Sequence, residues 1–441
     1  MESDKSQNRV WDKKQITLGI LGLGVVGSGT VRLLMENAAE IERKIGLPIV
    51  IKKIAVRNLD KPRDVVVDRA LLTNDPCEVI DDPDIDIVCE LIGGVEPARG
   101  YVLRALKNGK QIVTANKEMI AKEGQSLMEE ASRRGLDLQF EGSVAGGIPI
   151  IQPMKNALAG NRIEQVMGII NGTTNYILTK MTREGADFGE VLKEAQAHGY
   201  AETDPTSDIE GFDAQYKIAI LASIAFTCRV PVNEVYCEGI TGIAAQDIAY
   251  ADELGYVIKL LGVAKRTADE NRVEVRVHPT LLPKTHPLAF ANDVYNAVQV
   301  KGSAVGDVVF YGRGAGSGPT GSAVVGDIMD VCRNLRYGAT GRISCTCFER
   351  RSIVPMDEVI TRHYIRMVVK DQPRVMATIS KIFGDYEINI ASMVQKETFG
   401  TETDIIWLMH ETPGKSVSGA LAIIRDLPIV VEVSNWIRVV D

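Results

Sequence analysis

Apolar residues in the first third of the chain come in short unbroken runs. ITLGIL (16–21), IVIKKIAV (49–56), DIVCELI (86–92) and KQIVTAN (110–116) are too short for helices and read as strands. Helical spacing is expected after the first run, where it carries Val31, Leu33, Leu34 and Ala38, and again at 97–108 and 117–134. Buried strands alternating with helices predict a doubly wound parallel sheet.

From LQFEGSVAGGIPII (138–151) onward the segments lengthen. VMGIINGT (166–173) reads as a strand, and 187–198, 212–227 and 245–262 read as helices. VEVRVHPTLL (273–282) and AVQVKGSAVGDVVFYG (297–312) read as strands, which predicts a mixed α+β domain with an open sheet. GAGSGPTGSAVVGDIMDVCRN (314–334) is a glycine-rich turn into a helix. A stretch of weak pattern, 339–360, leads to a last unit. There HYIRMVVK, INIASMVQKE, TDIIWLMHE and VVEVSNWIRVV read as strands, and PRVMATISKIFGDY and GALAIIRDL as helices. The order βαββαβ is that of a ferredoxin-like module. Little in the linker would form a core, so this unit is expected to fold separately from the rest.

The 441 residues exceed one core, and 45% hydrophobic with 24% charged residues is ordinary for a globular chain. A net charge of −8 argues against nucleic acid or an anionic membrane as partner. No apolar run approaches the ~18 residues of a membrane span. MESDKSQNRVWDKK is polar, lacks the apolar core of a signal peptide, and reads as a loose tail at 1–15. Seven cysteines without framework spacing fit a reducing cytoplasm. Cys345 and Cys347 are the one close pair, and with no histidine nearby no zinc site is expected. Five histidines, and neither Gly-x-Ser-x-Gly nor His-Glu-x-x-His, leave hydrolase readings unsupported.

Gly22-Leu23-Gly24-Val25-Val26-Gly27 stands between the first strand and its helix. That setting aims backbone N–H groups and a helix N-terminus at a pyrophosphate. The second strand ends at Arg57, followed by Lys61 and Arg63, where NAD enzymes place an acid for the ribose hydroxyls. An arginine there suits a 2′-phosphate and points to NADP(H), with NAD(H) as the alternative. Ile92 and Gly93 end a strand, and Lys117 begins a helix, at the carboxyl edge where open α/β sheets bind ligands. Further on, Asp213 and Lys217 fall at i and i+4 of an expected helix whose continuation, Ile218 to Phe226, is apolar nearly all round. A solvated ion pair would be the ordinary outcome of such spacing. A lysine at the mouth of a buried helix is desolvated instead, so its pKa falls toward the range where it can move a proton. In Glu141 to Pro149 (EGSVAGGIP) exposed carbonyls could ligate a hard cation, and an interdomain hinge is an equal reading.

GLGVVG (22–27), TANK (114–117), NGTTNYIL (171–178), GYAE (199–202) and DPTSDIEGFDAQYKIAIL (204–221), in this order, resemble homoserine dehydrogenase from about residue 15 to residue 441. The last unit, with D-x-P-x-V-x-A-x-I-S from Asp371 and Ile388-Asn389-Ile390 beyond it, resembles an ACT regulatory domain. One position departs: the glycine that follows the proline in such domains is Arg374 here.

The resemblance implies a Rossmann-type domain at 16–150 completed by the helix at 315–335, a catalytic and dimerisation domain at 151–338, and the ACT domain at 361–441. It implies NAD(P)-dependent interconversion of L-aspartate 4-semialdehyde and L-homoserine, on the branch toward threonine, methionine and isoleucine. Lys217 and Lys117 would carry the chemistry with Asp213. Glu202, Asp208, Asp213, Thr173 and Tyr200 would bind substrate. Gly199 and Gly316 would join Gly22 to Gly27, Arg57, Ile92, Gly93 and Lys117 around the cofactor. Backbone oxygens of Glu141, Val144, Gly146 and Ile148 would hold a sodium ion. Threonine is the implied effector, and a homodimer or homotetramer the implied assembly. No kinase-like segment precedes the first domain, so the monofunctional form is expected. Two rivals stand beside this reading: an aspartate-semialdehyde dehydrogenase, which needs a cysteine nucleophile with a histidine base, and an amino-acid sensor whose dehydrogenase part has decayed.

Overall fold

A computed structural model describes residues 11–343, 345–347, 349–396 and 400–440. The first ten residues of the expected tail, and Glu397 in an expected strand, lie outside them.

The first domain runs β1 (Ile16–Leu21), α1 (Val25–Glu36), α2 (Ala38–Ile45), β2 (Ile49–Ala55), β3 (Leu72–Thr73), α3 (Cys77–Ile80), β4 (Ile87–Glu90), α4 (Ala98–Lys107), β5 (Gln111–Thr114), α5 (Lys117–Arg134) and β6 (Leu138–Gln139). Its six strands are all parallel in the order β3-β2-β1-β4-β5-β6. The order reverses at β1, which opens a crevice beyond the carboxyl ends of β1 and β4. Ile16, Leu18, Ile20, Ile54 and Ile87 are fully buried, as strands covered on both faces require.

The second domain follows with α6 (Ile151–Lys155), β7 (Ile163–Ile169), α7 (Gly172–Glu184), α8 (Phe188–Ala197), α9 (Thr206–Ile209), α10 (Phe212–Ala225), β8 (Tyr236–Cys237), α11 (Ala245–Glu253), β9 (Tyr256–Arg266), β10 (Arg272–Pro283), β11 (Tyr295–Gly302), β12 (Gly306–Arg313), α12 (Ser317–Arg336) and β13 (Ser352–Ile353). The expected helix at 245–262 is corrected: α11 stops at Glu253, Gly255 turns the chain at φ 84°, and β9 takes over. Ile258 to Ala264 are buried on both faces, so the run shows no strand alternation to distinguish it from a buried helix. α12 packs against α1 of the first domain. Val324, Ile328, Val331 and Cys332 join the core of β1 and α1, and Gly29 meets α12 so closely that a Cβ there would lie 2.0 Å from the Ser317 carbonyl oxygen.

The third unit comprises β14 (Ile360–Lys370), α13 (Val375–Asp385), β15 (Ile390–Gln395), β16 (Glu402–Pro413), α14 (Gly414–Arg425) and β17 (Val430–Val439), the expected βαββαβ order. Its separateness is not what the structure shows. The strands form one sheet, β12-β11-β7-β9-β10-β17-β14-β16-β15, with β17 parallel to β10 through Thr280–Arg438 and Leu281–Val439. Tyr364, Ile406, Leu408, Ile437 and Val439 share a core with Ile218 and Leu221. Asp247 of α11, fully buried, accepts hydrogen bonds from Arg366 Nε (2.6 Å), Asn435 Nδ2 (2.8 Å) and Tyr364 Oη (3.2 Å). Removing the module would strand that carboxylate and uncover apolar surface. Even the linker is tied down, since β13 pairs with β10. Arg374 adopts φ 76° at the start of α13, the left-handed backbone that a glycine would hold without strain.

Candidate active site

The crevice at the β1 carboxyl end is a cleft of about 740 Å³. Gly22, Leu23, Gly24, Arg57, Ile92 and Gly93, all expected at the cofactor, line it. The turn needs its glycines: Gly22 has φ 101°, and a Cβ on Gly27 would sit 2.3 Å from the Gly22 carbonyl oxygen. α1 therefore begins tight against β1, with its N-terminus at the carboxyl edge of the sheet. Val25, Val26, Gly27, Lys117, Gly199 and Gly316 do not line this cleft. Val26 packs into the core of the domain. Gly199 turns the chain after α8, and Gly316 turns it into α12. Lys61 and Arg63 share the wall with Arg57, but Arg63 donates to the carbonyls of Lys61 (2.8 Å), Leu59 (3.3 Å) and Asn58 and so shapes the loop. Arg57 and Lys61 remain on the wall as cations without partners among the described residues. Glu90, fully buried at the end of β4, accepts from the backbone N–H of Ile92 (2.9 Å) and Gly93 (3.3 Å) and from Thr114 Oγ1 (2.7 Å). It fixes the turn that the sequence reading named without naming Glu90; an acid inside IVCELI was the signal.

Lys117 opens α5, capped by Asn116, whose Oδ1 accepts from Met119 N at 3.1 Å. α10 packs against α5 and brings Asp213 and Lys217 to the same place. Asp213 is 4% exposed and Lys217 10%, whereas Lys117 keeps 41% of its side chain open. Lys217 Nζ donates to Asp213 Oδ2 at 2.6 Å and to the Ile170 carbonyl at 2.8 Å. Lys117 Nζ pairs with Asp213 Oδ1. Asn171, the cap of α7, donates from one Nδ2 to Asp213 Oδ2 (2.9 Å) and Asp208 Oδ1 (2.7 Å) while its Oδ1 accepts from Thr174 N (2.8 Å). Both oxygens of Asp213 are thus engaged. Of the three ammonium protons of Lys217, two have partners among the described residues.

Charge and burial compete in this cluster. Burial alone would raise Asp213, but the charges of Lys217 and Lys117 hold it well below the usual carboxylate range. Burial pushes Lys217 below the usual lysine value, against the attraction of Asp213 and with the repulsion of Lys117. Burial also works on Lys117, yet Asp213 outweighs it, and with Asp208 and Glu202 holds Lys117 above the lysine value.

Thr173 Oγ1 donates to the Tyr200 carbonyl at 2.8 Å, and the Tyr200 ring lies 4.8 Å from that of Tyr176. The 199–203 segment is seated in this way at the start of α7, with Glu202 close enough to act on Lys117. Asn171 was quoted within its motif but given no role. Its place after a strand-like run and before a helix is the N-cap pattern that could have found it.

The loop at 141–149 lies beneath α12. Glu141 is buried, and its carboxylate accepts from the N–H groups of Ile150 (2.6 Å), Ile151 (2.9 Å) and Gln152 (2.6 Å). That carboxylate caps α6, so a cation would meet backbone oxygen here. Among the described residues no hydrogen bond reaches the carbonyls of Val144, Gly146 or Ile148, and that of Glu141 accepts one long bond, 3.4 Å from Val144 N. Gly147 N donates to the Arg313 carbonyl at 3.0 Å, so the loop also joins the two domains. No helix of the described residues is long and apolar enough to cross a membrane, and all seven cysteines are free.

Family models agree with this architecture unit by unit: "Homoserine dehydrogenase, NAD binding domain" matches residues 22–141, "Homoserine dehydrogenase" matches 149–329, and "ACT domain" matches 363–428. A homoserine dehydrogenase of Synechocystis sp. is 45% identical over 433 residues, 97% of this chain and 100% of the relative. The crystal structure of a homoserine dehydrogenase from Thiobacillus denitrificans superposes with a TM-score of 0.91 at 47% identity, covering 97% of this chain and 99% of that one. A mutant homoserine dehydrogenase of a hyperthermophilic archaeon, in complex with NADPH, has a TM-score of 0.61 at 26% identity over 72% of this chain and 97% of its own. A nucleotide cleft, a buried lysine–aspartate cluster and an ACT module on one continuous chain, matched over nearly full length, leave one conclusion: this oxidoreductase belongs to the homoserine dehydrogenase family.

Proposed function

We propose that the cluster of Asp213, Lys217 and Lys117 is the proton-handling centre of an NADP(H)-dependent interconversion of L-homoserine and L-aspartate 4-semialdehyde. The observation that carries it is the two-lysine grip on one buried carboxylate. A bound nicotinamide supplies or accepts the hydride. The protein must then place the substrate oxygen against a group that holds or releases a proton. Lys217 is that group: burial pushes it toward neutrality, and one of its protons has no partner among the described residues. Lys117, held charged, stabilises negative charge on the same oxygen. The substrate ammonium is placed against Glu202 and Asp208, with the remaining lone pair of Asp213 Oδ1 beside them. Thr173 and Tyr200 close the near wall.

Arg57 and Lys61 at the end of β2 support NADP(H), since a guanidinium there can take a 2′-phosphate. Carbonyls of Glu141, Val144, Gly146 and Ile148 fit a sodium ion that would stiffen the joint between the domains. A homodimer through the open sheet is supported by β12, an edge strand that exposes Val309 and Tyr311. Threonine acting through the ACT module has a route to the site, because that module grips α11, which packs on α7.

The deciding assay is homoserine-dependent reduction of NADP and of NAD, with and without threonine. Reduction of NADP in preference to NAD supports the reading, and no turnover with either cofactor overturns it.

A further inference from the structure

Cys345 and Cys347 lie on the segment after α12, take no part in the lysine–aspartate cluster, and are both free and half-buried. The segment crosses the C-terminal half of α10, where Cys347 Sγ donates to the Ser223 carbonyl at 3.5 Å. Together with α5 and α10 the two cysteines wall a cavity of about 40 Å³. Lys155 and Arg229 line the same cavity. The Lys155 ammonium lies over the Phe140 ring at 4.6 Å, and among the described residues neither cation has a carboxylate partner.

We propose that Cys345 and Cys347 form a dithiol–disulfide site that reacts with low-molecular-weight disulfides carrying carboxylates. The Cys345 thiolate attacks one sulfur of the small disulfide, forms a mixed disulfide and expels one small thiolate, which takes up a proton. The Cys347 thiol then gives up its proton and attacks the Cys345 sulfur, expelling the second small thiol. Two protein thiols are oxidised, and one small disulfide is reduced to two thiols.

Four observations support this order. The neighbouring Cys347, with Lys155 and Arg229, holds Cys345 below the usual thiol range against burial, while Cys347 is pushed up. With the Cys347 proton engaged at the Ser223 carbonyl and no such contact made by Cys345 among the described residues, the attacking and resolving roles are distinct. Lys155 and Arg229 attract the carboxylates of the reagent. The cavity gives a sulfur room to swing but is too small to bury an attached thiol, which stays in solvent as the leaving group. Finally, the other thiols are poor competitors: Cys89, Cys228 and Cys332 are buried, and burial raises Cys77 and Cys237. A ring closed across a single residue is strained, so the bond should reopen readily with a reducing thiol.

The test treats the full chain with oxidised glutathione, alkylates what remains, and weighs the tryptic fragment 343–350. The expected product has lost two hydrogens and regains them with dithiothreitol. Cys347→Ser should stop at glutathione bound to Cys345, and Cys345→Ser should slow the reaction of this fragment at least ~10-fold. Full alkylation of both cysteines while Cys77 or Cys237 reacts would overturn the proposal. So would a Cys345→Ser fragment that reacts at the parent rate.

Discussion

The nucleotide cleft and the lysine–aspartate cluster both carry positive charge, but they hold it in opposite ways. Arg57 and Lys61 stand exposed on the wall of a 740 Å³ cleft, without partners among the described residues. Lys217 is sunk beside a carboxylate that a second lysine also grips. Solvent screens the first pair until a ligand displaces water, so under the proposed function their effect is expected in affinity and cofactor choice. Desolvation acts on the second before any ligand arrives, so it shifts the protonation of Lys217. Position in the sheet explains the difference: the cleft is built of loops at a strand edge, the cluster of helix ends packed on one another.

Changing the buried carboxylate should have the largest effect. Asp213→Asn leaves two lysines facing each other and should destabilise the fold by about 3–5 kcal/mol, the scale for breaking a buried pair from one side. Because the folded-state pKa of Asp213 is lowered, its contribution is present above the ordinary carboxylate range near ~4 and is lost as pH falls through the lowered value. Urea unfolding of parent and variant should therefore converge toward acid pH. A gap that stays constant down to the acid limb would place the stabilisation elsewhere.

Lys217→Ala should lower kcat at least ~100-fold, the scale of a lost acid–base group, in a chain that still folds. Steady-state kinetics beside circular dichroism checks this, and near-normal turnover in a folded variant would remove Lys217 from the chemistry. On the open side, Arg57→Ala should raise KM for NADP by about 2 kcal/mol, roughly 30-fold, and leave NAD nearly unchanged. Equal losses with both cofactors would mean that Arg57 reads something other than the phosphate. The smallest effect is expected at Asn171. Its alanine variant loses the cap of α7 and the link between Asp208 and Asp213, which should cost about 1 kcal/mol of stability and lower kcat ~10-fold with the cofactor KM unmoved. A change confined to cofactor KM would show that Asn171 serves the cleft and not the cluster.

Sequence alone determined what depends on neighbours along the chain. Gly22 to Gly27 between a strand and a helix, the i,i+4 spacing of Asp213 and Lys217, the arginine after β2 and the βαββαβ order are local patterns that backbone geometry reads directly. The family match extended them to Lys117, Glu202 and Asp208. Tertiary structure decided the rest. Lys117 and Asp213 meet because α5 packs on α10, and Asn171 joins two carboxylates that no spacing relates. β9 passed for helix because both its faces are buried, which erases the alternation that marks a strand. The ACT module looked detachable because its linker is weakly patterned, yet β17 lies on β10 and Arg366 closes over Asp247. Periodicity shows that a face is buried but does not name the element that buries it, and desolvation, which tunes Lys217, exists only once that element is in place.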